Sequence, residues 1–323
     1  MLAVTAGGNH CAYACGILHQ LFIDRPEFSQ WKRLAGISAG SLLCAGLCET
    51  NSDRNDLYIR RLIEMYETMT QVNVIKAHSS LGTYLNTVFS LCFHESLYQD
   101  TLPCFVRDNV DFAKLEGSDR KLSVGVYNTT QGRYETFRQD MSQVPTTDMF
   151  KPIVASASIP IVFPAVPIGT SMYVDGAVQH IIPVDEIMAW CTSNKGAVDI
   201  VCCYPFSTLE EFNKSEGISD CMSRSKTMKN VLQKTCIEMM WNNYTRDLKQ
   251  LEEYFGITGI RDRPVSMWRT NSHVIRIYSP QIGIFVDIDR PNKFQMQQMF
   301  LHGKTVVKNA VEKNLLPRAP ELT

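Results

Sequence analysis

Apolar and polar positions change along this chain in blocks that read as strands and helices in turn. Leu2 to Thr5 is a short apolar strand entering a glycine-rich turn, and Tyr13 to Phe22 predicts the helix that follows. Trp31 to Ala35 predicts a second short strand despite Lys32 and Arg33, and the small apolar residues Ser41 to Cys48 predict a buried helix. From Asn55 to Met69, Ile59, Leu62, Ile63 and Tyr66 share one side of a helix, with Arg60, Arg61 and Glu64 elsewhere. Ser79 is placed to cap a helix carrying Leu81, Tyr84, Leu85, Val88 and Phe89. Lys121 to Asn128 predicts a strand that Gln131-Gly132-Arg133 returns into Tyr134 to Arg138 as a hairpin. Val198 to Tyr204, uninterruptedly apolar and ended by Pro205, has the profile of a buried parallel strand. A mixed helical region from Ser225 to Phe255, a strand from His273 to Tyr278 and a helix from Lys293 to Lys313 complete the pattern. Alternating strands and helices predict an α/β architecture, with a mainly parallel central sheet flanked by helices.

Composition narrows this picture. The 323 residues, 45% of them hydrophobic, are ample for a sizeable core. A single domain over 1–316 is expected, with a flexible tail from Pro317 to Thr323. The polar stretch from Ser207 to Lys229 reads as a solvated excursion before a helix, not as a domain linker. A net charge of −1 makes no electrostatic case for nucleic acid. The eleven cysteines are scattered through apolar segments without CxxC or Cys/His zinc spacing, which predicts buried thiols, a reducing compartment and no metal site. The uncharged first 23 residues lack a basic n-region, and Gly7-Gly8 interrupts them early. The uncharged run Ile153 to Val174 contains Pro160, Pro164 and Pro167, which argue against a membrane helix. The expectation is a soluble, cytoplasmic protein with neither signal peptide nor transmembrane helix.

Three motifs carry candidate chemistry. Gly36-Ile37-Ser38-Ala39-Gly40 is a Gly-x-Ser-x-Gly pentapeptide at a strand-to-helix junction. A sharp turn there would present the Ser38 hydroxyl, with the positive end of the following helix beside any oxyanion. A tight packing turn is the bland alternative. Ala6-Gly7-Gly8-Asn9-His10-Cys11 follows the first strand and can expose consecutive backbone N–H groups. It lacks the Gly-Lys-Ser/Thr ending of a P-loop and the spacing of a dinucleotide fingerprint. Asp175-Gly176-Ala177 closes the short run Ser171 to Val174, and is either a hairpin turn or an aspartate with room around its carboxylate. Of the seven histidines, His10, His180, His273 and His302 are the candidates for a triad partner, and none sits in a recognisable motif for that role.

Taken in order, these elements resemble the patatin-like phospholipase family. The most specific stretch is Ala155-Ser156-Ala157-Ser158-Ile159-Pro160, then Val162-Phe163-Pro164, then Tyr173-Val174-Asp175-Gly176-Ala177, then Pro183-Val184. Gly16-Ile17-Leu18 fits the helix after the glycine-rich loop. The resemblance implies a three-layer fold and a cofactor-free Ser–Asp dyad: Ser38 as nucleophile, Asp175 as general base, and an oxyanion hole from the N–H groups of Gly7, Gly8 and Asn9. Gly36, Gly40 and Gly176 are the accompanying motif glycines. It also implies a phospholipid or neutral acyl-lipid substrate, met at a membrane or lipid-droplet surface. The family loop, Gly-Gly-Gly-x-Arg-Gly, is altered here at Ala6, His10 and Cys11. That departure keeps open a catalytically impaired lipid-binding or regulatory domain.

Overall fold

The computed structural model describes residues 1–71, 101–140, 148–160, 162–204, 228–260, 263–281 and 292–317. Its strands are β1 (Leu2–Val4), β2 (Arg33–Ile37), β3 (Lys121–Asn128), β4 (Arg133–Arg138), β5 (Val166–Ile168), β6 (Ser171–Asp175), β7 (Gly196–Val201), β8 (Val265–Arg269) and β9 (His273–Tyr278). The helices of the described residues are α1 (Cys11–Asp24), α2 (Ala39–Cys48), α3 (Asn55–Gln71), α4 (Thr101–Asn109), α5 (Phe112–Gly117), α6 (Phe150–Ser156), α7 (Val184–Ser193), α8 (Met228–Phe255) and α9 (Lys293–Glu312).

The strands form one sheet. Five of them, in the order β3-β2-β1-β7-β9, are mutually parallel, as the alternating pattern predicts. The margins are antiparallel: β4 and β6 pair with β3, β5 with β6, and β8 with β9. Alternation along the parallel strands fills both faces. Leu2, Val4, Leu34, Leu122 and Val124 join Leu18, Leu21, Leu43, Met299 and Val307 of α1, α2 and α9 in one core. Ala3, Ala35, Ile37, Val198 and Ile200 join Ile187, Tyr244, Leu248 and Leu251 of α7 and α8 in the other. Burial on both faces makes these strands almost continuously apolar.

Two boundaries differ from the sequence reading. The second strand runs from Arg33 to Ile37, because its ladder pairs Leu34 with Leu122 and Ile37 with Gly125. This brings the strand end directly against Ser38. The strand predicted to reach Tyr204 ends at Val201, after which the Cys203 N–H donates to the Thr5 hydroxyl instead of to the ladder. Asp175-Gly176 is not a hairpin turn; β6 passes into a short 3-10 turn, Gly176–Val178. The Ser79 to Phe89 helix, nearly all of the Ser207 to Lys229 excursion and residues 318–323 lie outside the described residues.

Among the described residues no helix is long and apolar enough to cross a membrane. Pro160, Pro164 and Pro167 fall between α6 and β6. Phe163 is buried there, and Ile159, Val162, Val166 and Ile168 pack against the core.

Candidate active site

Strand register brings Ser38 and Asp175 together. β4 occupies one edge of β3 from Ser123 to Asn128. β2 takes the other edge as far as Gly125, and β6 continues along it from Val126 to Asn128. β2 and β6 therefore arrive from opposite directions, with Ile37 opposite Gly125 and Asp175 opposite Val126. Ser38 is the next residue after Ile37, and its hydroxyl lies close enough to the Asp175 carboxyl to favour the ionised form.

Ser38 has φ 56° and ψ −132°, a conformation that a residue with a Cβ rarely adopts. Close packing holds the strained elbow. A Cβ on Gly36 would lie 2.4 Å from Gly40 O, and one on Gly40 would lie 2.5 Å from Thr5 O. These two glycines are required by contact, since neither has a positive φ. The Ser38 N–H donates to Ser156 Oγ (3.0 Å), and the Ser38 carbonyl accepts from Ser41 N and Oγ. Ser38 stands at the N-terminus of α2, where the helix dipole favours negative charge.

Asp175 is 2% exposed. Burial pushes its carboxyl up to about 7, against the Ala177 N–H and the Ser38 hydroxyl, which both favour the ionised form. The Ala177 bond is 2.9 Å. The Asp175 N–H donates to Ser158 O, and Gly176 packs so closely that a Cβ would meet Gly125 O at 2.7 Å. A carboxyl near 7 beside a serine hydroxyl is matched to proton transfer at neutral pH.

The glycine-rich loop leaves β1 beside this elbow, since β1 and β2 are adjacent with Val4 opposite Gly36. Gly8, with φ 50°, opens a 3-10 turn through His10 into α1. The Gly7 carbonyl accepts from both the His10 N–H (2.9 Å) and His10 Nδ1 (3.0 Å). Burial lowers the His10 pKa to about 4, so the ring is neutral with its proton on Nδ1. In a trans peptide the C=O and the next N–H point in opposite directions. With Gly7 O turned toward His10, the Gly8 N–H faces away from it, and among the described residues neither the Gly7 nor the Gly8 N–H has an acceptor. Ala6 is buried in the second core. Cys11 is fully buried and its thiol hydrogen-bonds Cys203. The side chains of all three altered positions thus turn inward.

The side chains of the other histidine candidates are engaged elsewhere. His273 bonds the Asn194 carbonyl, and His302 stacks beside Tyr13. His180 is bound to Asp247, 2.8 Å from Nδ1 to Oδ1. Asn128 and Asn243, each of which opens an Asn-x-Thr glycosylation sequon, are buried. Among the described residues no cluster of His, Cys, Asp and Glu is arranged to hold a metal. A cavity of about 490 Å³ lined by Arg33, Lys121, Arg138, Glu186 and Trp190 lies at the opposite end of β2 and β3 from Ser38. Sequence reasoning missed Ser156 as a support of the elbow. The sequence offers only a serine among the apolar residues Ile153 to Ala157, and the fold buries it completely.

A family model described as patatin-like phospholipase matches residues 2–188, more than half of the chain and all three motifs. A curated relative, a probable lipid hydrolase of Invertebrate iridescent virus 6, is 25% identical over 186 residues. The alignment spans 57% of this chain and 61% of that protein. Among solved structures, VipD from Legionella pneumophila superposes with a TM-score of 0.42 and 10% identity, over 97% of this chain and 66% of that one. With the family model extending from β1 through Asp175 into α7, this chain belongs to the patatin-like phospholipase family.

Proposed function

We propose that the protein is a serine-dependent lipid acyl hydrolase, of phospholipase A or lipase type. Ser38 is the nucleophile and Asp175 its general base. The observation that carries this reading is Ser38, on a strained elbow at a helix N-terminus, brought by strand register beside a buried carboxyl raised to about 7. Asp175 takes the hydroxyl proton as Ser38 Oγ attacks the ester carbonyl. The oxyanion is met by the N–H groups of Gly7, Gly8 and Asn9, each such donor lowering the barrier by on the order of 3 kcal/mol. Collapse breaks the ester bond, and the proton on Asp175 passes to the departing alcohol. Water, deprotonated by Asp175, then releases the fatty acid. The substrates are phospholipids or neutral acyl lipids, met by peripheral contact with a lipid surface.

The impaired-domain alternative is favoured only by Ala6, His10 and Cys11. Against it stands a loop whose donors are backbone N–H groups, with the His10 ring itself bonded to the Gly7 carbonyl and so helping to orient them. Fatty-acid release from phosphatidylcholine micelles, lost in Ser38→Ala, supports the enzyme; liposome binding without release in the wild type supports the alternative.

A further inference from the structure

We propose that Asp247, on α8 and outside the matched family region, is a positioning residue that ties the general-base segment to the oxyanion loop. The proposal rests on the Ser38–Asp175 reading above for its kinetic consequence, while the physical coupling stands on geometry alone.

After β6 the chain runs through the short 3-10 turn Gly176–Val178 into an irregular stretch as far as Ile182, so most of its backbone groups need partners from elsewhere. α8 supplies them. Asn243 Nδ2 donates to Ala177 O (3.1 Å) and Val178 O (2.9 Å). Arg246 donates to Gln179 O. Asp247, one turn after Asn243 and fully buried, accepts at Oδ2 from Ile181 N (2.6 Å) and Ile182 N (3.1 Å). Its Oδ1 accepts from His180 Nδ1 at 2.8 Å. Residues four apart on a helix share a face, so Asn243 and Asp247 grip the segment at two points.

Ile181 carries the grip onward. Its N–H is held by Asp247, and its carbonyl accepts from the Ala6 N–H at 2.8 Å. Ala6 immediately precedes Gly7. At the other end of the segment Asp175 accepts from Ala177 N, the residue whose carbonyl Asn243 holds. The buried carboxylate therefore holds the end of the segment that meets the oxyanion loop, while Asn243, one turn away on the same helix face, holds the end that meets the base. Removing the carboxylate strands three buried donors at once, and any relaxation of Ile181 moves Ala6 with it.

Two substitutions separate positioning from bulk. Asp247→Ala deletes every acceptor. Asp247→Asn keeps one oxygen for the two N–H groups and offers its NH₂ to His180 as the other tautomer, while half-exposed Arg246 turns to water. The expected result is a kcat lowered about 30-fold or more in the alanine variant with KM within about twofold, and near-complete rescue by asparagine. Amide hydrogen exchange should quicken in residues 5–10 and 176–183 together in Asp247→Ala. A folded Asp247→Ala with kcat within about twofold of wild type, or faster exchange confined to 176–183, overturns the proposal. If Asp247→Ala does not fold, Asp247→Ser, whose single short acceptor cannot reach all three donors, carries the same exchange test, and an unchanged 5–10 segment is again fatal. A wild type that neither hydrolyses esters nor reacts at Ser38 refutes the dyad, while the exchange comparison still decides whether Asp247 couples the two segments.

Discussion

The Ser38 N–H donates to Ser156 Oγ at 3.0 Å, and Ser156 Oγ in turn donates to Gly125 O at 2.7 Å. One hydroxyl thus bridges the elbow and β3, the strand that also carries Asp175's partner Val126. Ser156→Ala leaves a buried donor and a buried acceptor unpaired, at a cost of about 1–3 kcal/mol each way in stability. The elbow, already at positive φ, then relaxes. The expected outcome is a kcat down by about tenfold or more with KM little changed, measured by steady-state hydrolysis of a soluble short-chain ester.

Asp175→Asn separates activity from stability. The variant cannot accept the Ser38 proton, so turnover is lost. It also removes a charge from a fully buried site, and is expected to be more stable than wild type at pH 8 by about 2–4 kcal/mol. The sign follows from linkage. The folded carboxyl binds its proton more tightly than the unfolded one, so wild-type stability declines as pH rises from the ordinary carboxylate range through about 7. At pH 4 both proteins are neutral there, and the advantage vanishes. Thermal melts of the two proteins at pH 4 and pH 8 check this.

The same carboxyl sets the pH dependence of the reaction. Asp175 works as a base only when ionised, so kcat/KM should climb by one proton's slope to a plateau above about pH 7. A profile with its rising limb near pH 4 would mean that the base is not this buried group.

His10 occupies the family's arginine position, and its ring bonds the Gly7 carbonyl. His10→Ala releases one of the two donors that orient the Gly7–Gly8 peptide. The account expects a kcat loss of about tenfold, with fluorophosphonate reaction slowed in parallel, since both pass through an oxyanion. Equal rates in variant and wild type would show that the His10 N–H alone holds the loop.

Much of this was legible in the sequence because it was local. Gly36 to Gly40 announced the elbow, and the unbroken apolarity of Val198 to Tyr204 announced a strand buried on both faces. The run from Ala155 to Asp175 carried the family's spacing, so Asp175 was found although Asp-Gly alone reads as a hairpin turn. What stayed hidden depends on residues distant in the chain. Ser156 is one small polar residue in an apolar run, and only the fold puts its hydroxyl between Ser38 and Gly125. Asn243 and Asp247 lie on a helix of mixed polarity, and nothing local to it indicates that they face residues 177–182. His10 and Cys11 read as defects in a loop motif, until burial shows His10 bonded to Gly7 O and Cys11 to Cys203.

The central claim is that Ser38 is an activated nucleophile. Intact-mass and peptide analysis after treatment with a fluorophosphonate probe tests it most directly. The account predicts a single adduct on Ser38, absent in Ser38→Ala, formed faster at pH 8 than at pH 5 and accompanied by fatty-acid release from phosphatidylcholine. An unlabelled Ser38 in folded protein at pH 8, or an adduct on another residue with lipid hydrolysis intact in Ser38→Ala, would contradict it.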